Sequence, residues 1–187
     1  MSVDAGTTPP TLVDAVLARI QMVQNQLLGK LDELDAATIT HQGSLTAPPI
    51  AFHAWHIARF ADRISAVLTG TEERWTRDAV AERWSMPDVD LGLMHTGIGV
   101  PDAAALNLPG DETLRAYVAA CFDDVHRAAS SLAGELDRQF DVYGGALEPT
   151  VLSVGQVMVA HASHVNRHLG MIEALVGVAG MRGTVSL

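Results

Sequence analysis

Apolar residues recur at helical spacing along four stretches of the chain. The first stripe is Leu12, Val16, Ile20, Val23, Leu27, Leu31 and Leu34. It predicts a helix over residues 11–36, with the Thr11 hydroxyl as its cap. Pro48 and Pro49 open a second helix, whose stripe is His53, His56 or Ile57, Phe60, Ile64, and Val67 or Leu68; Gly70 ends it. Asp111 caps a third, along Leu114, Val118, Cys121, Val125, Ala128 or Ala129, Leu132 and Leu136. Ser153 and Gln156 have capping-box spacing and start a fourth, which runs to about residue 178 through Val157, His161, His164, His168, Met171 or Ile172, and Leu175. Residues 38–47 and 143–149 read as loops. The 71–110 connection has no sustained period; it carries Trp75, Trp84, the turn residues Pro87 and Gly92, and a short helix expected over 76–84. No segment alternates as a strand does. Four long helices and one long connection predict an all-α four-helix bundle over residues 11–178, with tails at 1–10 and 179–187. A connection that long often serves as a lid or rim.

Charge narrows the function classes. Among 187 residues, 22 are acidic and 12 basic, a formal net charge of −10. Such a surface repels phosphate backbones and anionic lipid, so neither nucleic acid nor membrane is an expected partner. The single cysteine, Cys121, excludes an internal disulfide and suits a reducing compartment. The first ten residues lack a basic and apolar leader pattern, and no apolar run is long enough to span a bilayer. A cytoplasmic protein is expected.

The eight histidines carry the candidate chemistry. At about 100° per residue, positions 161, 164 and 168 fall within roughly 60° of one another, in the sector that Val157 and Leu175 place toward the core. His53 and His56 repeat this on the second helix. Unpartnered buried imidazoles are costly, and several together depress one another's pKa. A lone histidine on an apolar face is ordinarily a hydrogen-bonded core residue, and a polar core without metal is the competing reading. Three on one face, with a second pair on another helix, point instead to a metal ion. Neutral imidazole suits zinc, nickel, copper or iron, and bundle interiors are where such sites are built.

Two stretches resemble a known family. Ala54-Trp55-His56-Ile57-Ala58-Arg59-Phe60-Ala61-Asp62 is similar to the second-helix signature of the DinB/YfiT-like superfamily. His164-Val165-Asn166-Arg167-His168-Leu169-Gly170 is similar to its H-x-x-x-H-x-G signature on the fourth helix. The resemblance covers most of residues 11–178. It implies an up-down-down-up bundle with one divalent metal held by His56, His164 and His168, in members that are often dimers. Those with known activity are mostly metal-dependent transferases or isomerases that use a low-molecular-weight thiol such as mycothiol or bacillithiol. Zinc or nickel is the first expectation for the metal, iron or manganese the second. His53 and His161 depart from the pattern; each lies one turn before a matched ligand and is a candidate fourth ligand, supporting group or base.

Three protein ligands leave a coordination position open, as in catalytic sites. A thiol bound there becomes thiolate and can attack a small electrophilic substrate. Water there becomes hydroxide, which gives a hydrolase as the alternative. A non-catalytic, dimeric metal-binding bundle is a third reading. Arg59, one turn from His56, is the candidate for meeting an anionic substrate, against a surface ion pair with Asp62 or Asp123. Glu173, Asn166 and Arg167 read as surface. Cys121 reads as an inert core residue. Trp75 and Trp84 suit either a pocket rim or burial at the bundle end, and His95 lies in the loop that could reach the pocket mouth.

Overall fold

The computed structural model describes residues 10–43, 47–86, 106–143 and 148–182. The expected tails, apart from Pro10 and residues 179–182, lie outside the described residues, as do Pro87, Gly92 and His95.

Helix α1 spans Leu12–Asp32. The Thr11 hydroxyl accepts from the Asp14 N–H at 3.2 Å, and the Asp14 carboxylate accepts from the Thr11 N–H at 2.8 Å, so the first orphan donors are satisfied reciprocally. The helix stops four residues earlier than its stripe suggested. The expected 38–47 loop begins instead in a helix: Ala36–Thr40 form a short helix, α2, because the Asp35 carboxylate accepts from the Thr38 N–H at 2.7 Å and restarts the turn.

Helix α3 spans Ile50–Thr69 and ends where Gly70 turns left-handed at φ +69°. Fifteen of its twenty residues are buried, too many for one stripe, so it is covered on several sides. The single helix expected over 76–84 is two turns, α4 (Arg74–Arg77) and α5 (Val80–Arg83), broken at Ala79 with φ +48°.

Helix α6 spans Glu112–Ser131, started by Asp111 accepting from the Thr113 N–H at 2.9 Å. It ends short of Leu136. Contrary to the expectation of no strands, Gln139–Asp141 (β1) and Val151–Ser153 (β2) pair antiparallel, with Phe140 opposite Leu152. Three-residue strands are too short to show alternation, and their backbone partners decide them. Ser153 ends β2 and caps α7, Val154–Val178, through the expected box with Gln156.

The architecture is the expected all-α bundle. Helix α3 packs on α6 and α7, and α1 packs on α7 and α6. Trp55, Leu27, Ile57, Leu114, Ile172 and Val118 are almost wholly buried in one core cluster, each contributing about 1.5–3 kcal/mol or more of transfer free energy. Among the described residues, no helix is long and apolar enough to cross a membrane. The contact between α3 and α7 positions the candidate site.

Candidate metal centre

Residues three or four apart share a helix face, so α3 presents His53 and His56 together, and α7 presents His164 and His168. Packing α3 on α7 brings the two sets into contact. The His56 ring lies 5.2 Å from that of His164 and 4.9 Å from that of His168, and the two α7 rings are 4.8 Å apart. Among the described residues, His56, His164 and His168 form the group that could hold a metal ion, with candidate donor atoms all within 4.8 Å of one another.

Aromatic rings back the cluster. Phe52, one turn before His56, stacks on it at 5.6 Å; Phe60, one turn after, sits 4.9 Å from both His56 and His164. His168 is buried, while His56 and His164 keep some exposure. Burial pushes the imidazoles well below the usual histidine range of about 6.5, and like charges nearby push further. His56 falls to about 3, His164 to about 4 and His168 to about 2. All three are therefore neutral at physiological pH, the state in which imidazole has a lone pair to donate.

A tetrahedral ion with bonds of about 2.0–2.1 Å sets its nitrogen ligands roughly 3.3 Å apart, a spacing below the 4.8 Å that bounds the donor-atom separations here. His56 Nδ1 is buried and has no hydrogen-bond partner among the described residues, an atom that a metal or the water beside it would satisfy. An all-imidazole group without carboxylate suits a transition ion rather than magnesium or calcium. The residues present fit a divalent metal.

The two additional histidines part company. His53 Nδ1 lies 3.0 Å from His168 Nδ1, with both rings buried. His161 turns toward α1, where its Nε2 lies 3.3 Å from Gln24 Nε2, and it is not in the metal group. Gln24 was missed from the sequence, although a polar residue between the buried Ile20, Val23 and Leu27 was a readable signal. Phe52 was missed because it is off the main apolar stripe; its position four before His56 was the clue.

Arg59 belongs to a different constellation, and its ion pairs are buried rather than on the surface. Its guanidinium donates to Glu73 at 2.6 Å, lies 3.4 Å from Asp62 and covers the Trp75 ring at 4.8 Å. None of these partners is a histidine. Asp62 is the hub: it accepts from the Arg74 N–H at 2.7 Å, the Trp75 N–H at 2.8 Å and the Tyr117 hydroxyl at 3.1 Å. Burial raises its pKa against the lowering by those N–H groups. Arg63 continues the network to the other Glu73 oxygen and to the Tyr143 carbonyl. Asp123, the other partner considered for Arg59, is exposed. Trp75 and Trp84 are buried and meet each other and Tyr117 edge to face. Cys121 is buried, and burial pushes its thiol well above the usual range, so it is not poised as a nucleophile. Asn166 and Arg167 are exposed, Asn166 accepting from Arg19 at 3.3 Å, and Glu173 is half-buried.

A family model described as the DinB superfamily matches residues 17–172. The crystal structure of a conserved protein from Enterococcus faecalis superposes with a TM-score of 0.71 at 16% sequence identity, covering 91% of this chain and 99% of that one. At that identity the likeness is one of fold. No curated protein shows significant similarity to the chain.

Proposed function

The chain belongs to the DinB superfamily, and from that premise we propose that it is a metal-dependent enzyme that transfers a low-molecular-weight thiol, such as mycothiol or bacillithiol, to an electrophilic small molecule. One observation carries the reading: His56, His164 and His168, held neutral by burial, converge from two helices, and no other His, Cys, Asp or Glu among the described residues joins their group. A divalent ion, zinc or nickel in first place, would supply a Lewis acid that makes a thiol acidic enough to react near neutral pH. The chain's own part is to hold three lone pairs in register and to keep bulk water from them with Phe52 and Phe60. Arg59, engaged with Glu73 and Asp62, is assigned to holding α4 rather than to substrate.

We further assign a homodimer in the cytoplasm. Val159, Met171 and Val178 on α7 and Met22 on α1 are large apolar side chains left at least 41% exposed, material for such a contact. Sedimentation giving a 19.9 kDa species at micromolar concentration would remove the dimer.

The test compares wild type with a His56/His164/His168 triple-alanine variant by elemental mass spectrometry, then follows mycothiol or bacillithiol consumption with monochlorobimane. One equivalent of metal in the wild type alone, and consumption that requires it, is the expected result. Equal rates in metal-free and metal-loaded protein would sink the transferase. Metal-dependent ester cleavage without thiol would replace it with a hydrolase.

A further inference from the structure

His53 is not one of the three residues whose donor atoms converge, yet among the described residues it makes a close polar contact to one of them. Its Nδ1 lies 3.0 Å from His168 Nδ1, with ring centroids 5.1 Å apart and planes inclined by 56°. Phe52 meets the His53 ring edge to face at 5.8 Å and limits its rotation. A contact between two imidazole nitrogens requires a proton on one and a lone pair on the other. With Nδ1 of His168 taken by His53, the nitrogen left to an ion is Nε2, and a neutral ring whose Nε2 lone pair is free carries its proton on Nδ1. His168 is then the donor and His53 the acceptor, which places the proton of His53 on its own Nε2.

We propose that His53 is a positioning residue of the metal centre, holding His168 in its Nδ1–H tautomer with Nε2 presented to the ion. The inference rests on the metal reading above. An imidazole ligand free to flip or to move its proton to Nε2 loses the lone pair that binds; a fixed acceptor at Nδ1 prevents both. The usual acceptor in this position is a carboxylate or a backbone carbonyl, and a carboxylate adds negative charge as well as orientation. A neutral imidazole supplies the orientation and leaves the centre with only the charge of its ion. His53 is therefore neither a fourth ligand nor a base.

The experiment measures zinc affinity, by competition with a chromophoric chelator, and the visible spectrum of the cobalt(II) form. It uses wild type, His53→Leu, His53→Asn and His164→Ala. Leucine fills the volume without an acceptor; asparagine keeps an acceptor oxygen near the place of Nδ1. His53→Leu is expected to bind zinc about 10- to 100-fold more weakly, and His53→Asn to stay within about threefold of wild type. The cobalt band positions of both should match wild type, because the ligand set is intact. Wild-type affinity in His53→Leu would overturn the proposal. So would equal losses in both His53 variants with a changed cobalt spectrum, which would make His53 a ligand. If wild type binds no zinc, or His164→Ala binds as tightly as wild type, the metal reading itself falls and this inference with it, an outcome distinct from either result at His53.

Discussion

Asp62 shows what a single residue does in this bundle. Its carboxylate satisfies two backbone N–H groups at the start of α4, the Tyr117 hydroxyl and part of the Arg59 charge. Removing it leaves those donors buried and Arg59 short of a partner, and breaking a buried pair in this way costs about 3–5 kcal/mol. Asp62→Ala is therefore expected to lower the urea midpoint sharply. Arg127→Ala, at a guanidinium 73% exposed and paired with Asp124, should change stability by less than about 1 kcal/mol and so barely move the midpoint. Equal effects of the two would mean that the Asp62 hub contributes no more than a surface pair. The metal group was legible at this scale in two steps: core stripes where an unpartnered imidazole is costly singled out five histidines, and the family resemblance matched His56, His164 and His168 among them. Glu73 and Tyr117 were not, because their partners come from other elements and nothing in the local pattern announces them.

At the scale of elements, the caps written into the chain decide where helices begin, and close approaches decide where they meet. Gly110 precedes α6 and lies against α2: a Cβ there would come within 2.6 Å of the Ala36 carbonyl oxygen and 2.7 Å of Thr40 Cγ2. Gly110→Ala is expected to destabilise by about 1–3 kcal/mol, because backbone cannot give way as a side chain can. Gly29, inside α1, has nothing within 4 Å of the same atom. Gly29→Ala should stabilise by about 0.5–1 kcal/mol through backbone entropy alone. Thermal melts of the two variants should move in opposite directions; a common sign would mean that the α2–α6 contact is looser than the structure has it. The short helix α2 and the β1–β2 hairpin escaped the sequence reading for one reason. Elements of three to five residues carry too few positions for periodicity to register, and a single cap or a backbone partner settles them.

For the whole molecule, five imidazoles held neutral by burial make stability depend on pH. His53, His161 and His164 titrate at about 4, His56 at about 3 and His168 at about 2, against 6.5 when exposed. Below pH 6.5 the unfolded chain therefore binds more protons than the native one. The histidine contribution is complete above pH 6.5 and is lost as pH falls toward 4, with His56 and His168 extending the loss to about 3 and 2. Each such group changes stability by at most about 1.4 kcal/mol per pH unit, less where solvent reaches the ring. The Tm of the metal-free protein should fall by on the order of 10 °C between pH 7 and pH 5. A flat profile would mean that the native histidines take up protons as readily as the unfolded ones. Zinc at one hundred times its Kd should add about 2.7 kcal/mol, a rise in Tm of roughly 5–10 °C for a chain of this size. The triple-alanine variant should show no such rise.

By itself, the sequence determined the features that depend on near neighbours along the chain. Those are the four long helices with their Thr11, Asp111 and Ser153 caps, the Gly70 stop, and a histidine face on each of two helices. Periodicity and capping act within a few residues, so they can be read from a single strand of text. Only the tertiary structure decided which histidines meet. On α7 alone, His161, His164 and His168 are equivalent by angle. Packing against α3 draws His164 and His168 to His56, while the neighbouring α1 takes His161 with Gln24. The same packing brings His53 to His168 and turns Arg59 to Glu73. These pairings join residues far apart in the chain, and they are selected by which helix faces come into contact, a property of the folded whole.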